Sequence, residues 1–293
     1  MQFAIHYLTE YKYAGQVSDN LNALRVKPAT TATQRLDDFG VRTTPDARLS
    51  QHEDYYGTTV IEFGLSKAHE ALAVDVRARV TTFDAPPPPD PAWEAIEDPA
   101  YRAAGVEFLL PTGDEPDDIR LDELVGLTRQ ATPRETVLGL VGLIPDRFEY
   151  RTGVTYVGST VIDLLEAGAG VCQDFAHLAL LCLRRNGIAA RYVSGYLFAP
   201  RGDAADADSA EVDTHAWVQA LLPDGDGGFT WVGLDPTNRC LTGENYVKIG
   251  HGRAYADVPP IRGVYRGEGA TSLDVVVQMR RVAGGDATGS PRN

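Results

Sequence analysis

Ala167-Gly168-Ala169-Gly170-Val171-Cys172-Gln173-Asp174-Phe175-Ala176-His177-Leu178-Ala179-Leu180-Leu181-Cys182-Leu183-Arg184-Arg185-Asn186-Gly187 sets a glycine-rich break against a long apolar run. The run predicts a helix. It is rich in Leu and Ala, holds no internal Gly or Pro, and closes on two cations and a glycine suited to a C-cap. Apolar residues occupy nearly its whole circumference after the first turn, so the helix belongs in the interior. Cys172 then stands at the helix N-terminus, where unpaired N–H groups and the positive end of the helix dipole favour thiolate over thiol. Position alone leaves two readings of Cys172 open, a nucleophile or a small core hydrophobe.

Composition bounds the partners. A chain of 293 residues suggests about two domains, and 41 acidic against 27 basic residues give a net charge of -14. That balance argues against a nucleic-acid backbone or an anionic membrane as the main partner. Much of the acidity sits in loop-like segments, Asp114 to Asp118 and the stretch holding Asp203, Asp206, Asp208 and Glu211, where solvation is the expected role. Cys172, Cys182 and Cys240 are too few, and odd in number, for a disulfide framework, which suits a reducing compartment. The N-terminus lacks a basic n-region followed by an apolar core, and no stretch approaches the length of a membrane span. A cytoplasmic location is therefore expected.

The pattern along the chain predicts an α+β fold. Residues 1–83 alternate as strands, at Phe3-Ile5-Tyr7, Leu21-Leu24-Val26, Val60-Ile61-Phe63 and Leu72 to Val80, and read as an antiparallel β domain. Residues 84–92 are a Pro-rich linker. From residue 93 helical periodicity takes over, around Trp93 to Ala104, Leu121 to Gln130, and Pro133 to Leu143 with Thr132 as N-cap. Phe148 to Tyr150 reads as a short strand, and Thr160 caps a helix running to Glu166. Strands follow the Cys172 helix at Ala190 to Phe198, His215 to Leu222, Phe229 to Leu234 and Leu273 to Arg281. Residues 93–283 thus form helices packed on an antiparallel sheet, and residues 284–293 a flexible tail.

A thiolate that transfers acyl groups needs an imidazole as base and acid, and a third group to orient it. His177 lies roughly 140° around the helix from Cys172 and Asp174 about 200°, so neither shares the face of the thiol. The same geometry disfavours a metal site there, and Asp174 pairing structurally with His177 is the better reading. Among His6, His52, His69, His215 and His251, His215 stands out. Thr214 to Leu222 and Phe229 to Leu234, joined by the glycine-rich turn Pro223 to Gly228, read as a hairpin. A hairpin centred on Gly225 sets His215 directly opposite Asp235, close enough for the carboxylate to orient the imidazole. The plainer readings are an edge-strand histidine and an aspartate that starts a turn before Pro236.

Gly170-Val171-Cys172-Gln173-Asp174-Phe175-Ala176-His177, Gly187 to Tyr196, Thr214-His215-Ala216-Trp217 and Asp235-Pro236-Thr237-Asn238 together closely resemble bacterial transglutaminase-like proteins. The N-terminal stretches His6 to Tyr13, Leu24 to Pro28 and Asp54-Tyr55-Tyr56-Gly57 are similar to the β-rich region that such proteins carry. The resemblance implies a papain-like triad of Cys172 as nucleophile, His215 as general base and acid, and Asp235 as its orienter. One departure is Ala254 in His251-Gly252-Arg253-Ala254-Tyr255, where relatives often carry an acid.

The implied reaction is attack of Cys172 on a carboxamide or peptide carbonyl to give a thioester, which an amine resolves by transamidation and water by hydrolysis. A non-catalytic binding module that keeps the fold is the alternative from another class. A protein or peptide substrate is expected, and no cofactor or metal. The Cys172 N–H is a candidate oxyanion donor, and Tyr192, Ser194, Trp217 and Asn238 are candidates to line the cleft.

Overall fold

Alternating apolar residues at the start of the chain build one 23-residue strand, β1 (Gln2–Leu24), that turns Phe3, Ile5 and Tyr7 inward. The stretches around Ile5 and Leu21 are therefore two ends of a single element, which bends where its ladders shift between Lys12 and Leu21. β2 (Gln34–Thr44), β3 (Ser50–Glu53), β4 (Thr59–Leu65) and β5 (His69–Thr82) follow. The computed structural model describes residues 1–112, 116–199, 208–212, 214–267 and 271–282. Residues 284–293, expected as a tail, and Asp114, Glu115, Asp203 and Asp206 of the acidic stretches lie outside the described residues.

Next come α1 (Trp93–Glu97), α2 (Pro99–Leu109), α3 (Ile119–Thr128), α4 (Pro133–Arg147), β6 (Glu149–Tyr150), α5 (Val161–Ala167), β7 (Ala169–Gly170) and α6 (Cys172–Arg185). Caps set these boundaries. Thr132 Oγ1 accepts the Glu135 N–H at 3.1 Å, and Thr160 and Asp163 cap each other reciprocally. The single helix expected at Trp93 to Ala104 is split, because Pro99 cannot continue α1 and instead opens α2, where the Asp98 carboxylate accepts the Ala100 N–H at 2.7 Å.

The rest of the chain is strand-rich: β8 (Ala190–Leu197), β9 (Ser209–Val212), β10 (Thr214–Pro223), β11 (Phe229–Asp235), β12 (Cys240–Leu241), β13 (Tyr246–Gly252), β14 (Ile261–Arg266) and β15 (Thr271–Arg281). An eight-stranded antiparallel sheet runs β2-β5-β1-β15-β9, with β14 and β4 pairing the far half of β1 and β3 pairing β4. Strands from the end of the chain thus complete the sheet that the N-terminal residues begin, with Phe3 opposite Arg281 and Tyr13 opposite Thr271. A five-stranded antiparallel sheet runs β12-β11-β10-β8-β13.

Helix α6 packs on β10 and β8, and its Leu178, Ala179 and Cys182 share a core with Tyr192, Val218 and Ala220. A second core joins the two sheets: Phe3, Tyr7 and Val76 meet Tyr196, Phe198, Val247 and Ile249. Ring centroids lie 5.2 Å apart for Phe3 and Phe198 and 6.2 Å apart for Tyr7 and Tyr196. Among the described residues no helix is long and apolar enough to cross a membrane.

Tyr101 ties α2 to the smaller sheet. Its fully buried hydroxyl donates to the Leu221 carbonyl at 3.0 Å and accepts the Ala189 N–H at 2.8 Å, and burial pushes its phenol up to about 12. Tyr101→Phe leaves both backbone groups buried without a partner, so a loss of about 1–3 kcal/mol is expected in urea unfolding.

Candidate active site

The start of α6 is built by close packing. A Cβ on Gly170 would lie 2.8 Å from Asp174 Oδ2 and 2.9 Å from Leu164 Cδ1, so only glycine lets the chain pass this close to the helix. The Asp174 carboxylate, 4% exposed, accepts the Val171 N–H at 2.8 Å and the Thr155 hydroxyl at 2.7 Å. It thereby fixes the turn that presents Cys172. Asp174 and His177, expected to pair, instead bind different partners, Asp174 being taken up by Val171 and Thr155 while His177 Nε2 accepts the Tyr255 N–H at 3.2 Å. Burial holds the His177 imidazole down at about 4, so it stays neutral.

Two thiols on one helix have opposite surroundings. Cys182 is buried in the core, which pushes its thiol up to about 12. Cys172 is half-buried at the helix start. Among the described residues the Asp174 and Phe175 N–H groups bond the Val171 carbonyl, while those of Cys172 and Gln173 donate to no protein acceptor.

His215 lies near the start of β10 and Asp235 at the end of β11. They are not directly opposed. The ladder pairs Val218 with Leu234 and Pro223 with Phe229, which centres the hairpin on Asp226 rather than Gly225 and brings Asp235 alongside Trp217. The cause is the turn: the Asp224 carboxylate accepts the N–H groups of Asp226 and Gly228 at 3.1 and 3.0 Å, and the Asp224 N–H bonds the Gly228 carbonyl. A shift of two residues keeps both side chains on one face. His215 and Asp235 meet on the diagonal, with Nε2 2.7 Å from Oδ2.

Asp235 is completely buried. Its Oδ2 also accepts from Asn238 Nδ2 at 2.7 Å and the Tyr246 hydroxyl at 2.8 Å, and its Oδ1 accepts the Thr237 and Asn238 N–H groups at 2.8 and 3.2 Å. Burial raises its pKa, but the bond and charge of His215, helped by Asn238 and Tyr246, hold it below the usual carboxylate value. For His215 burial works downward, yet Asp235 and the Cys172 sulfur together raise it to about 9. Nε2 is the nitrogen turned to Asp235, which leaves Nδ1 outside that bond. The imidazole stacks on Trp217 at 6.2 Å, and Tyr246 meets Trp217 edge-on at 5.3 Å. Gly195, across the ladder from His215, leaves room for that ring: a Cβ there would lie 2.5 Å from Trp217 Cη2.

Of the expected cleft residues, Tyr192, Ser194 and Trp217 are buried, and Asn238 braces Asp235. Tyr246 escaped the sequence reading because nothing in its local pattern distinguishes it. Burial and Asp235 push its phenol far up, which keeps it a donor, and Cys240 Sγ lies 3.2 Å from its oxygen. The loop that carries Ala254 still has a carboxylate, since Asp257 Oδ2 accepts the Arg253 and Ala254 N–H groups at 2.7 and 3.2 Å.

These shifts set the pH behaviour. A pKa raised to about 9 means that the contribution of His215 to stability is complete below about 6.5 and is lost as pH rises through about 9. His177, lowered to about 4, acts oppositely, since the unfolded chain binds its proton first and stability falls as pH drops from about 6.5 to about 4. In urea titrations, Asp235→Asn should flatten the alkaline limb and His177→Gln the acid limb. NMR titration of His215 should give a value near 9 in the wild type and one close to about 6.5 or lower in Asp235→Asn, where burial is opposed by less charge.

Residues 125–236 match the model of the transglutaminase-like superfamily, and residues 3–81 match that of the bacterial transglutaminase-like N-terminal region. An uncharacterized protein of Mycobacterium leprae is 37% identical over 278 residues, covering 94% of this chain and 97% of its own. An uncharacterized protein of Mycobacterium tuberculosis is 34% identical over 294 residues, covering 95% of this chain and 92% of its own. A crystal structure of a candidate cysteine protease from Cytophaga hutchinsonii superposes with a TM-score of 0.73 at 22% identity, over 97% of this chain and 92% of that one. The chain belongs to the transglutaminase-like superfamily and carries the bacterial N-terminal region of that family.

Proposed function

We propose that the protein is a thiol acyltransferase of the transglutaminase type, acting on a carboxamide or peptide bond of a protein or peptide through a thioester on Cys172. The observation that carries this reading is His215 bonded through Nε2 to the buried Asp235 carboxylate, with the Cys172 sulfur at the start of α6 among the groups that raise its imidazole to about 9. An imidazolium beside a thiol at a helix start favours the ion pair from which cysteine nucleophiles act.

In the first half-reaction Cys172 Sγ bonds to the carbonyl carbon, and the π electron pair moves onto oxygen, facing the N–H groups of Cys172 and Gln173. Collapse breaks the C–N bond, and the His215 proton leaves with the amine or ammonia. The neutral imidazole then takes a proton from the incoming amine or water as it attacks the thioester, and the thiolate departs. Asp235 holds the imidazole orientation throughout, itself held by Asn238 and Tyr246. The reading needs no cofactor, and three free thiols fit a reducing compartment such as the cytoplasm.

Incubation with a lysate and a tagged primary amine tests the reaction. Tag incorporation that disappears in Cys172→Ala is expected for transfer. Cys172-dependent cleavage of peptides or release of ammonia without incorporation assigns water as the acceptor. Neither activity, with Cys172 alkylating no faster than an ordinary exposed cysteine, would leave only a binding module.

A further inference from the structure

Four residues along β10 from His215, on the same face of the strand, Gln219 lies at the centre of a cationic cluster in which Arg191 and Gln219 are half-buried and Lys248 is buried. Arg191, opposite it on β8, donates from Nε to Gln219 Oε1 at 2.9 Å, and Lys248 on β13 donates from Nζ to the same oxygen at 2.9 Å. The Arg191 guanidinium lies over the Trp231 ring, 3.9 Å from its centroid. His251 Nε2, 3.1 Å from Arg191 Nη1, accepts from it as a neutral imidazole, and Tyr56 and Phe108 pack on that ring. Among the described residues no carboxylate comes within ion-pair distance of Arg191 or Lys248.

That arrangement is costly, since buried cations ordinarily find an acid or lose their charge. Burial drives Arg191 down to about 9 and Lys248 well below its usual value, with the charge of Arg191 adding to the effect on Lys248. The remedy is one atom away: a glutamate in place of Gln219 would pair with both cations without a change of shape. In a chain with 41 acidic residues, the position on which two cations converge holds a neutral amide. The missing negative charge is thus left for something that binds.

We propose that Arg191, Lys248 and Gln219 form a subsite for a carboxylate of the acyl-donor peptide, an Asp or Glu side chain about three to four residues from the reacting carboxamide. Four strand residues span about 13 Å, which sets that spacing for an extended peptide on the same face. The planar Arg191 fork, held on Trp231, suits a carboxylate, and Lys248 Nζ adds a donor beside it whose ammonium form an arriving carboxylate favours. The assignment rests on Cys172 being the nucleophile, and the test separates the two.

Peptides with a central glutamine and either Glu or Gln at the second to fourth residues on each side are titrated calorimetrically into Cys172→Ala protein. At one spacing the Glu peptide should bind at least ~10-fold more tightly, the ratio expected of a charge-assisted pair. Gln219→Glu and Lys248→Met, each placed in the Cys172→Ala background, should reduce that ratio below about 3-fold, and Gln219→Glu should raise the melting temperature. Equal binding of Glu and Gln peptides at every spacing overturns the subsite, as does a preference that survives both variants. Separately, the same peptides with a side-chain diazoketone in place of the reacting carboxamide are offered to the wild type. A Glu preference in calorimetry without labelling of Cys172 would sink the nucleophile and leave the carboxylate site standing.

Discussion

A fully buried carboxylate is the constraint around which the smaller sheet is arranged. Removing an ion such as Asp235 from water costs several kcal/mol, which only charge and hydrogen bonds can offset. Five donors reach it, from His215 on β10, Tyr246 on β13, and the Thr237 and Asn238 backbone and the Asn238 amide just beyond β11. Three separate segments must be in register for that set to close. The imidazole that results is fixed in rotation, stacked on Trp217 and kept protonated past neutrality. Tyr246 and Asn238 therefore act through Asp235, and Gly195 acts through Trp217.

The thiol side of the site is set by a different physics. Helix α6 is held by the core, with ten of its 14 residues buried, and its first turn is locked by Asp174 between Val171 and Thr155. Its axis fixes where the dipole and the free N–H groups point. Cys172 and Cys182 are on the same helix, so what separates a half-buried thiol at the helix start from a thiol sealed in the core is environment alone.

Much of this was legible in the residues because it is local. The α6 run, the Thr132 and Thr160 caps and the hairpin after His215 each follow from neighbours within a few positions. What failed was non-local or depended on a single side chain. The hairpin register moved by two residues because the Asp224 carboxylate wraps a longer turn, a choice that glycine counting misses; the common face survived because side-chain alternation has period two. The return of β15 to pair with β1, nearly the whole chain away, has no local signal. Neither has Tyr246, nor the convergence of Arg191 and Lys248 on Gln219, which three strands assemble.

The central claim is that Cys172, His215 and Asp235 act as one unit, and a double-mutant cycle on acylation of Cys172 by an activated ester measures this directly. With single replacements of His215 and Asp235 by alanine and the double replacement, the account predicts that the double variant is slowed no further than His215→Ala, to within about 3-fold, because Asp235 works only through the imidazole. Losses that multiply in the double variant would show two independent contributions and contradict the account.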